Sequence, residues 1–388
     1  MKKTSKKLGL FLLMAVSFLG TSQTALAGMT ESQRAVSFKA KVIEIVREEK
    51  KTDEHDREVI LQTVKLRGLA GEWKNKEVVY DGINLGAEIA GREPYKKGDL
   101  VWVMKDVDPN GQEVYFITDY SRTGKLYFLA ILFAGLVVLV GRWRGFKALV
   151  GLAITFVVLM QFIIPRIVAG SNPLLVSIIG SLIILVTTLY LVHGFNSKTT
   201  VAVTATLLSL LITGVLSMVF TYLTRLTGFA DEEASYLVSM GQNILNIKGI
   251  LLAGMVIGAL GVLDDITVSQ ASVAEQIYQA NPELSKLEIY KRSMKVGIDH
   301  VSSIVNTLVL AYAGASLPLL LLFNINRPLA GSVGAVLNNE TIATEIVRTL
   351  VGSVGLVIAV PITSLIAAYF LKNKIVKPEA AAPAAHRH

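Results

Sequence analysis

The chain has 388 residues, 52% of them hydrophobic, and its 38 lysines and arginines against 30 aspartates and glutamates give a formal net charge of +8. A mean hydropathy of +0.53 is too high for a soluble enzyme of this size and predicts a polytopic membrane protein. The basic residues lie in short clusters between apolar segments, which argues against a nucleic-acid partner, and a sequence without cysteine excludes disulfides and thiolate chemistry.

The first 27 residues have the pattern of a secretory signal peptide. A lysine-rich start precedes an apolar stretch from Leu8 to Leu19, and Ala25-Leu26-Ala27 forms a small-residue cleavage site. An uncleaved anchor is the alternative, although the stretch is shorter than the roughly 20 residues of a full span. Both readings place the chain from residue 28 onward outside the cytoplasm.

Residues 28–124 are predicted to form a small extracytoplasmic β domain. Turn signals such as Asp81-Gly82 and Lys97-Gly98-Asp99 separate five short apolar or β-branched runs. Five strands in about ninety residues suit a partly open barrel of the OB type, which hides its strand edges. The lone His55 has no second ligand at metal-binding spacing, so no metal site is expected. The predicted strands are Val36–Val46, Val59–Leu66, Glu77–Ile83, Leu100–Lys105 and Glu113–Asp119.

Residues 125–377 are predicted to form an all-α transmembrane domain of seven helices. The loops expected inside the cell carry more lysine and arginine than those expected outside, which agrees with an extracellular β domain and a cytoplasmic C-terminus in the cell membrane. The alanine- and proline-rich tail, residues 378–388, is expected to be disordered. The predicted spans are Leu126–Val140, Phe146–Ile164, Leu174–Val192, Thr200–Tyr222, Ile247–Val268, Val301–Phe323 and Ile346–Leu371.

Two of the segments that connect the predicted spans are expected to contain helices of their own. The outer segment 229–246 is moderately apolar and ends in Gln242, Asn243 and Asn246, which favours an interfacial or re-entrant helix. The inner segment 269–295 alternates apolar and charged residues and is predicted to lie as an amphipathic stretch against anionic headgroups.

The adjacent carboxylates Asp264 and Asp265 stand at the cytoplasmic end of the fifth predicted span. An aspartate in mid-membrane is unfavourable by about 2.5 to 3.5 kcal/mol, so a functional site is the default hypothesis. Neighbouring carboxylates resist joint ionisation, and one of them could hold a proton. The alternative is that both lie in the headgroup layer as the start of a loop.

Further polar residues extend this candidate site. Asp265 and Ser269 share one face of the fifth helix, and the start of the sixth span offers a facing stripe. The members of that stripe and its surroundings are Asp299, His300, Ser303, Asn306 and Thr307. His300 could relay protons or could simply lie in the headgroups at a helix start. Gly254, Gly258 and Gly261 predict close packing of the fifth helix.

The fifth and sixth spans together resemble a known family. The runs from Gly258 to Glu275 (GALGVLDDITVSQASVAE) and from Ile298 to Leu308 (IDHVSSIVNTL) are similar to the YibE/F-like family of bacterial multi-pass membrane proteins. The resemblance extends to the N-terminal signal and to Leu69-Ala-Gly-Glu-Trp and Lys97-Gly-Asp-Leu-Val. It implies an architecture and a Gram-positive source, and it implies no particular activity.

A second resemblance is local. An aspartate late in an inward-running helix, an amphipathic stretch and a serine-rich returning helix resemble the central hairpin of SecD/SecF and RND-type proton-driven proteins. That resemblance implies proton translocation by Asp264 or Asp265. It covers about a sixth of the chain and lacks the large paired outer domains of those families.

Two functions follow from these patterns. The first is a secondary, proton- or cation-coupled transporter or translocation factor for an unknown small substrate, with Asp264, Asp265, His300 and Asn306 as proton or cation ligands. The second is a non-transporting scaffold that recruits an envelope or secretion protein through its outer domain. Self-association fits either one. An enzyme is not expected, since neither H-E-x-x-H nor G-x-S-x-G occurs, and no cofactor or metal is expected.

Overall fold

The computed structural model describes residues 36–52, 58–85, 93–108, 111–230, 232–239, 246–325 and 332–373. The predicted signal peptide and the predicted C-terminal tail lie outside these ranges. The described chain divides into two compact units, residues 26–136 and 137–388. The boundary between the two units falls inside the first long helix.

The first unit is built on one antiparallel sheet with the strand order β3-β2-β1-β4-β5. Side chains of alternate residues point to one face, and buried positions of β2 alternate with more exposed ones on both sides of Leu61 and Gln62, two adjacent buried residues where the alternation shifts by one. Bulges after Val42 and Ile45 bend β1 where it pairs with β2. The strands are β1 (Val36–Thr52), β2 (Glu58–Gly68), β3 (Glu77–Asp81), β4 (Leu100–Val107) and β5 (Glu113–Tyr120).

The inward residues of all five strands make one core, centred on Val42, Val64, Leu66 and Val101. The five expected strands are therefore present, with β1 six residues longer than predicted. Hydrogen-bonded pairing in the described residues joins neighbours in the order above and does not link β3 to β5. The partly open barrel of the OB type consequently stays a prediction.

Helices follow the sheet, because the rest of the chain consists of long apolar runs that satisfy their own backbone hydrogen bonds. Within the ranges that the structure describes, six helical runs are long and apolar enough to cross a bilayer, which identifies a multi-pass membrane protein. The helices are α1 (Thr123–Val168, with a π-helical turn at Leu159–Ile163), α2 (Pro173–His193), α3 (Ser197–Leu223), α4 (Glu232–Ser239), α5 (Ile247–Ala280), α6 (Lys286–Ala315), α7 (Leu317–Ile325), α8 (Val333–Leu337) and α9 (Glu340–Asn373).

The count of six differs from the seven expected spans because the first two fall within α1. This run of 46 residues is broken at Arg142, whose φ of 49° and ψ of −131° are not helical. A Cβ added to Gly145 would lie 2.1 Å from the carbonyl oxygen of Val137, whereas a straight helix separates such residues by about 12 Å. The backbone therefore turns sharply at Arg142.

The second unit packs α2, α3, α5, α6 and α9 around a shared apolar core that includes Leu185, Leu210 and Leu263. Small residues allow the closest approaches between helices. Gly355 of α9 faces Thr213 of α3, and Gly297 of α6 faces Val360 of α9; an added Cβ would overlap the neighbour in both places.

The structure corrects one expectation about these segments, the undivided sixth span, and leaves the others as predictions. Segment 269–295 comprises the end of α5, a turn at 281–285 and the start of α6, which a capping box at Ser285 and Glu288 begins. Its placement against anionic headgroups stays a prediction. The sixth predicted span is divided, since α6 ends at Ala315 and α7 begins at Leu317. Within 229–246 the structure has the eight-residue α4.

Candidate functional site

Helix α5 carries the acidic pair and positions it near one end of a membrane span. Its N-cap Asn246 accepts a hydrogen bond from the backbone of Gly249, and the helix continues for 34 residues, about 51 Å. Asp264 lies about 26 Å along the axis from Ile247. A hydrocarbon layer of about 30 Å that starts at Ile247 would therefore end just beyond the pair.

The two carboxylates have different surroundings. Asp264 is half-buried, and its Oδ1 is fully shielded from solvent and has no hydrogen-bond partner among the described residues. Asp265 is exposed and lies within electrostatic reach of His300 on α6. A shielded carboxylate oxygen without a donor is unfavourable, and a proton or a cation would satisfy it.

Helix α6 runs antiparallel to α5 but brings only part of the predicted polar stripe to it. His300 is half-buried and is the member of the stripe that interacts with the pair. The hydroxyl of Thr307 donates to the backbone carbonyl of Ser303, a local bond within α6. The other predicted residues on this helix, Asp299, Ser303, Asn306 and Thr307, are exposed.

The predicted glycines lie on an open face of α5. Gly254, Gly258 and Gly261 are exposed, and a Cβ added to Gly254 or Gly261 would have no described neighbour within 4 Å. Gly258 faces the hydroxyl of Tyr312 on α6, 3.3 Å from an added Cβ. The spacing of these residues places Asp265 on the same face. The close packing expected of these glycines is therefore present at Gly258, whereas Gly254 and Gly261 lie on an open face among the described residues.

A second polar group lies in α9 and was missed by the sequence analysis. Arg348 Nη1 donates to Glu345 Oε1 over 2.6 Å, and each side chain is about three-quarters buried. Tyr312 lies within electrostatic reach of both. Glu345 and Tyr312 also line an apolar cavity of about 270 Å³ between α6, α7 and α9. The signal available in the sequence was Glu345 and Arg348 three residues apart at the start of an apolar run.

Gln270 is the other polar residue that sequence reasoning passed over. It is 1% exposed, and its Nε2 donates to the backbone carbonyl of Ser293 on α6 and to the hydroxyl of Ser364 on α9. Ser269, its predicted neighbour in the site, is half-buried. Gln270 therefore joins three helices less than two turns beyond the acidic pair.

The predicted polar residues before α5 do not join the acidic pair. Gln242 and Asn243 lie outside the described residues, and Asn246 acts as the helix cap of α5. Within the described ranges, no three histidine, aspartate or glutamate side chains form a group that could hold a metal ion. What the site can do chemically rests on Asp264, Asp265 and His300.

Comparisons with known proteins give one match. The sequence profile of a single family, described as YibE/F-like protein, matches residues 129–373, more than half of the 388 residues. The matched range contains the acidic pair, Tyr312 and the Glu345–Arg348 pair, and it begins after the β sheet. No curated protein and no solved structure matches the chain.

Proposed function

The chain belongs to the YibE/F-like family, and we propose that it works as a secondary transporter or translocation factor coupled to protons or another cation. Asp264 and Asp265 are the coupling residues of this proposal, with His300 as the relay group. No chemical conversion of the substrate is part of it. The resemblance to SecD/SecF and RND-type proteins is a prediction of the same kind and is not needed for the argument.

The observation that carries the proposal is the shielded Oδ1 of Asp264. Polar groups buried in a membrane helix bundle are normally hydrogen-bonded, and ionisable ones mark ion or proton routes far more often than stable packing. Other shielded side-chain atoms of the described residues, such as Gln270 Oε1, also have no partner, but Asp264 Oδ1 belongs to a carboxylate that stands beside a second one, Asp265. An unpartnered oxygen is most unfavourable on such a group, which is why we propose that it takes up a proton or a cation.

A route to this carboxylate is also part of the proposal. The open glycine face of α5 runs about 10 Å from Gly258 beside Tyr312 to Asp265. At the Tyr312 end of this face stand Glu345 and Arg348, a half-buried ion pair inside a span. We infer that the face is hydrated when the protein works, with the ion pair at one end and the acidic pair at the other.

Reconstitution into proteoliposomes tests the proposal. A double variant, Asp264→Asn with Asp265→Asn, keeps the side-chain volumes and removes both titratable groups. Under an imposed pH gradient and membrane potential, we expect proton entry, followed with a trapped pH-sensitive dye, to fall at least tenfold. Parallel gradients of Na⁺ and K⁺ identify another coupling ion.

The matched control is Glu283→Gln, which removes an exposed carboxylate from the turn between α5 and α6. It should leave the flux within a factor of two. Normal flux of every ion from the double variant would contradict the proposal.

The membrane topology is proposed as well. We infer that α1 crosses twice, with its turn at Arg142 on the cytoplasmic side, so that residues 28–124 are extracellular and the C-terminus is cytoplasmic. Support comes from the broken helix geometry at Arg142 and from the basic residues that follow it, Arg144 and Lys147.

The cysteine-free sequence allows a direct test with single cysteines. In intact cells, a membrane-impermeant maleimide should label Lys74→Cys and Ser171→Cys and should leave Asn196→Cys and Glu283→Cys unlabelled. If α1 crossed only once, the labelling of the last three positions would be reversed while Lys74→Cys stayed labelled.

The alternative proposal is a non-transporting scaffold that recruits an envelope or secretion protein. The observation that favours it is the separate core of the β sheet, which the family match does not include. Under this alternative the double asparagine variant retains full function in the cell. Deletion of residues 30–120 abolishes that function, whereas a transporter with an accessory outer domain keeps part of its flux.

A further inference from the structure

A large cavity lies in the first unit where the sheet ends and α1 begins. Its volume is about 710 Å³, and its lining includes Glu93, Lys96, Asp99, Tyr120, Arg122 and Lys125. All of these residues belong to the unit 26–136. Its lining shares no residue with the acidic pair or with the open glycine face of α5.

Hydrogen bonds hold the walls of this cavity in place. The hydroxyl of Tyr120 donates to the backbone carbonyl of Glu93, and the backbone N–H of Lys96 donates to Asp99 Oδ2. The backbone N–H of Ser121 donates to the carbonyl of Leu100, which ties the end of β5 to the start of β4. The cavity is therefore formed by ordered backbone before any ligand arrives.

The chain places the cavity at the surface of the membrane. Helix α1 starts at Thr123, and from Leu126 to Leu136 it contains only apolar residues, alanine and glycine. Arg122 and Lys125 precede this stretch, so they stand at the depth of the lipid headgroups. Basic side chains at that depth attract the phosphates of anionic lipids.

The charges of the lining are mixed, and the mixture specifies the ligand. Arg122 pairs with Asp119 at 2.7 Å and Lys96 approaches Glu93 at 3.6 Å, whereas Lys125 has no ion pair within the described part of the chain. Ser121 is also among the lining residues, although its Oγ is shielded from solvent.

The basic groups suit a phosphate, while the carboxylates of Glu93 and Asp99 can only accept hydrogen bonds. A bare phosphate would leave those carboxylates facing a like charge. A headgroup that carries hydroxyls beside its phosphate would satisfy both kinds of lining group.

We propose that this cavity binds the phosphate-and-polyol headgroup of an anionic phospholipid at the point where the chain enters the membrane. The phosphate lies against Arg122 and Lys125, and the hydroxyls of the headgroup donate to Glu93 and Asp99. This inference does not depend on transport by the second unit.

The test uses the purified full chain and native mass spectrometry after delipidation. Phosphatidylglycerol is the probe, compared with phosphatidylcholine, with phosphatidic acid, which has the phosphate and no polyol, and with soluble glycerol phosphate. The double variant Arg122→Gln with Lys125→Gln should bind phosphatidylglycerol roughly twentyfold more weakly, from about fivefold for each basic residue near an anionic surface.

The control variant is Lys51→Gln with Lys74→Gln, which removes the same charge from exposed positions of the sheet unit that do not line the cavity. It should retain binding within twofold. Equal loss in both variants would mean general attraction to charge and would overturn the proposal. If phosphatidic acid bound as tightly as phosphatidylglycerol, the proposed contacts to the polyol would be wrong. If glycerol phosphate bound as tightly as phosphatidylglycerol, the proposal that the ligand is a membrane lipid would be wrong.

Discussion

Helix α5 contains two polar regions less than two turns apart, and they have opposite environments. Gln270 is almost completely buried and donates hydrogen bonds to α6 and α9. Asp264 is half-buried with a shielded oxygen that has no described partner, and Asp265 is exposed. The first region has the form of a structural contact, and the second has the form of a site that awaits a ligand.

This difference separates two uses of polarity inside a membrane protein. A neutral amide between helices contributes specificity of packing at a smaller cost than a charged group does. Gln270 Nε2 has two acceptors within the protein, and its Oε1, which has no described partner, is uncharged. Carboxylates at the same depth are unfavourable unless a proton or cation joins them. Loss of stability and loss of transport should therefore be separable along a single helix.

The largest effect is expected on the free energy of unfolding, from a substitution at Gln270. Gln270→Ala removes two interhelical hydrogen bonds and leaves a cavity, so we expect the free energy of unfolding to fall by about 2 to 4 kcal/mol. Thermal unfolding in lipid nanodiscs measures it. Gln276→Ala, an exposed glutamine on the same helix, should change the stability by less than about 0.5 kcal/mol. Comparable losses from the two variants would refute the structural role of Gln270.

The open face of α5 allows the comparison to be sharpened for transport. Gly261→Leu puts a large side chain between Tyr312 and Asp265 where an added Cβ meets no neighbour. We expect the proton flux to fall about tenfold, an increase in barrier of about 1.4 kcal/mol, with no loss of stability.

The control for that variant is Gly314→Leu on α6, which is also exposed and also has an open Cβ position. Both substitutions gain helix propensity of up to about 1 kcal/mol. Unchanged proton flux in Gly261→Leu, with the variant correctly inserted, would show that protons do not pass along the open glycine face of α5.

The smallest effect is expected between the two polar regions. Thr267 and Thr206 of α3 share a hydrogen bond of 2.6 Å between their buried hydroxyls. Thr267→Val keeps the shape and loses this bond, so the stability should fall by about 0.6 kcal/mol, with about 1.7 kcal/mol as the upper bound.

A double-mutant cycle with Thr206→Val isolates the pair and distinguishes it from other consequences of each substitution. The flux of Thr267→Val should match the wild-type flux. A tenfold loss of flux would extend the functional region toward Gln270, and the acidic pair and Gln270 would then no longer have separate roles.

Much of the fold could be predicted because its signals are local. The five strands were visible as alternating runs between turns, and α5 was visible as an apolar run that starts after Asn246. The turn at Arg142 was marked by the basic residues between two apolar stretches. The division of the sixth span at Ser316 was not predicted, although a proline, Pro318, follows it in the sequence.

The site was only partly predictable for the same reason. Two adjacent carboxylates in a membrane helix are conspicuous in any sequence. The role of Gln270 depends on Ser293 and Ser364, which are 23 and 94 residues away along the chain. The glycines 254, 258 and 261 fit the pattern of a packing interface, but only Gly258 comes close to another described helix, at the hydroxyl of Tyr312 on α6.

The sequence by itself determined that this is a multi-pass membrane protein with a β sheet before its helices, because hydrophobicity and periodicity are properties of neighbouring residues. It also determined the family, through residues within the matched range 129–373. The tertiary structure decided which polar side chains meet and which remain without a partner. That outcome depends on the separation and rotation of whole helices, such as α5 against α6 and α9, and single residues do not encode it.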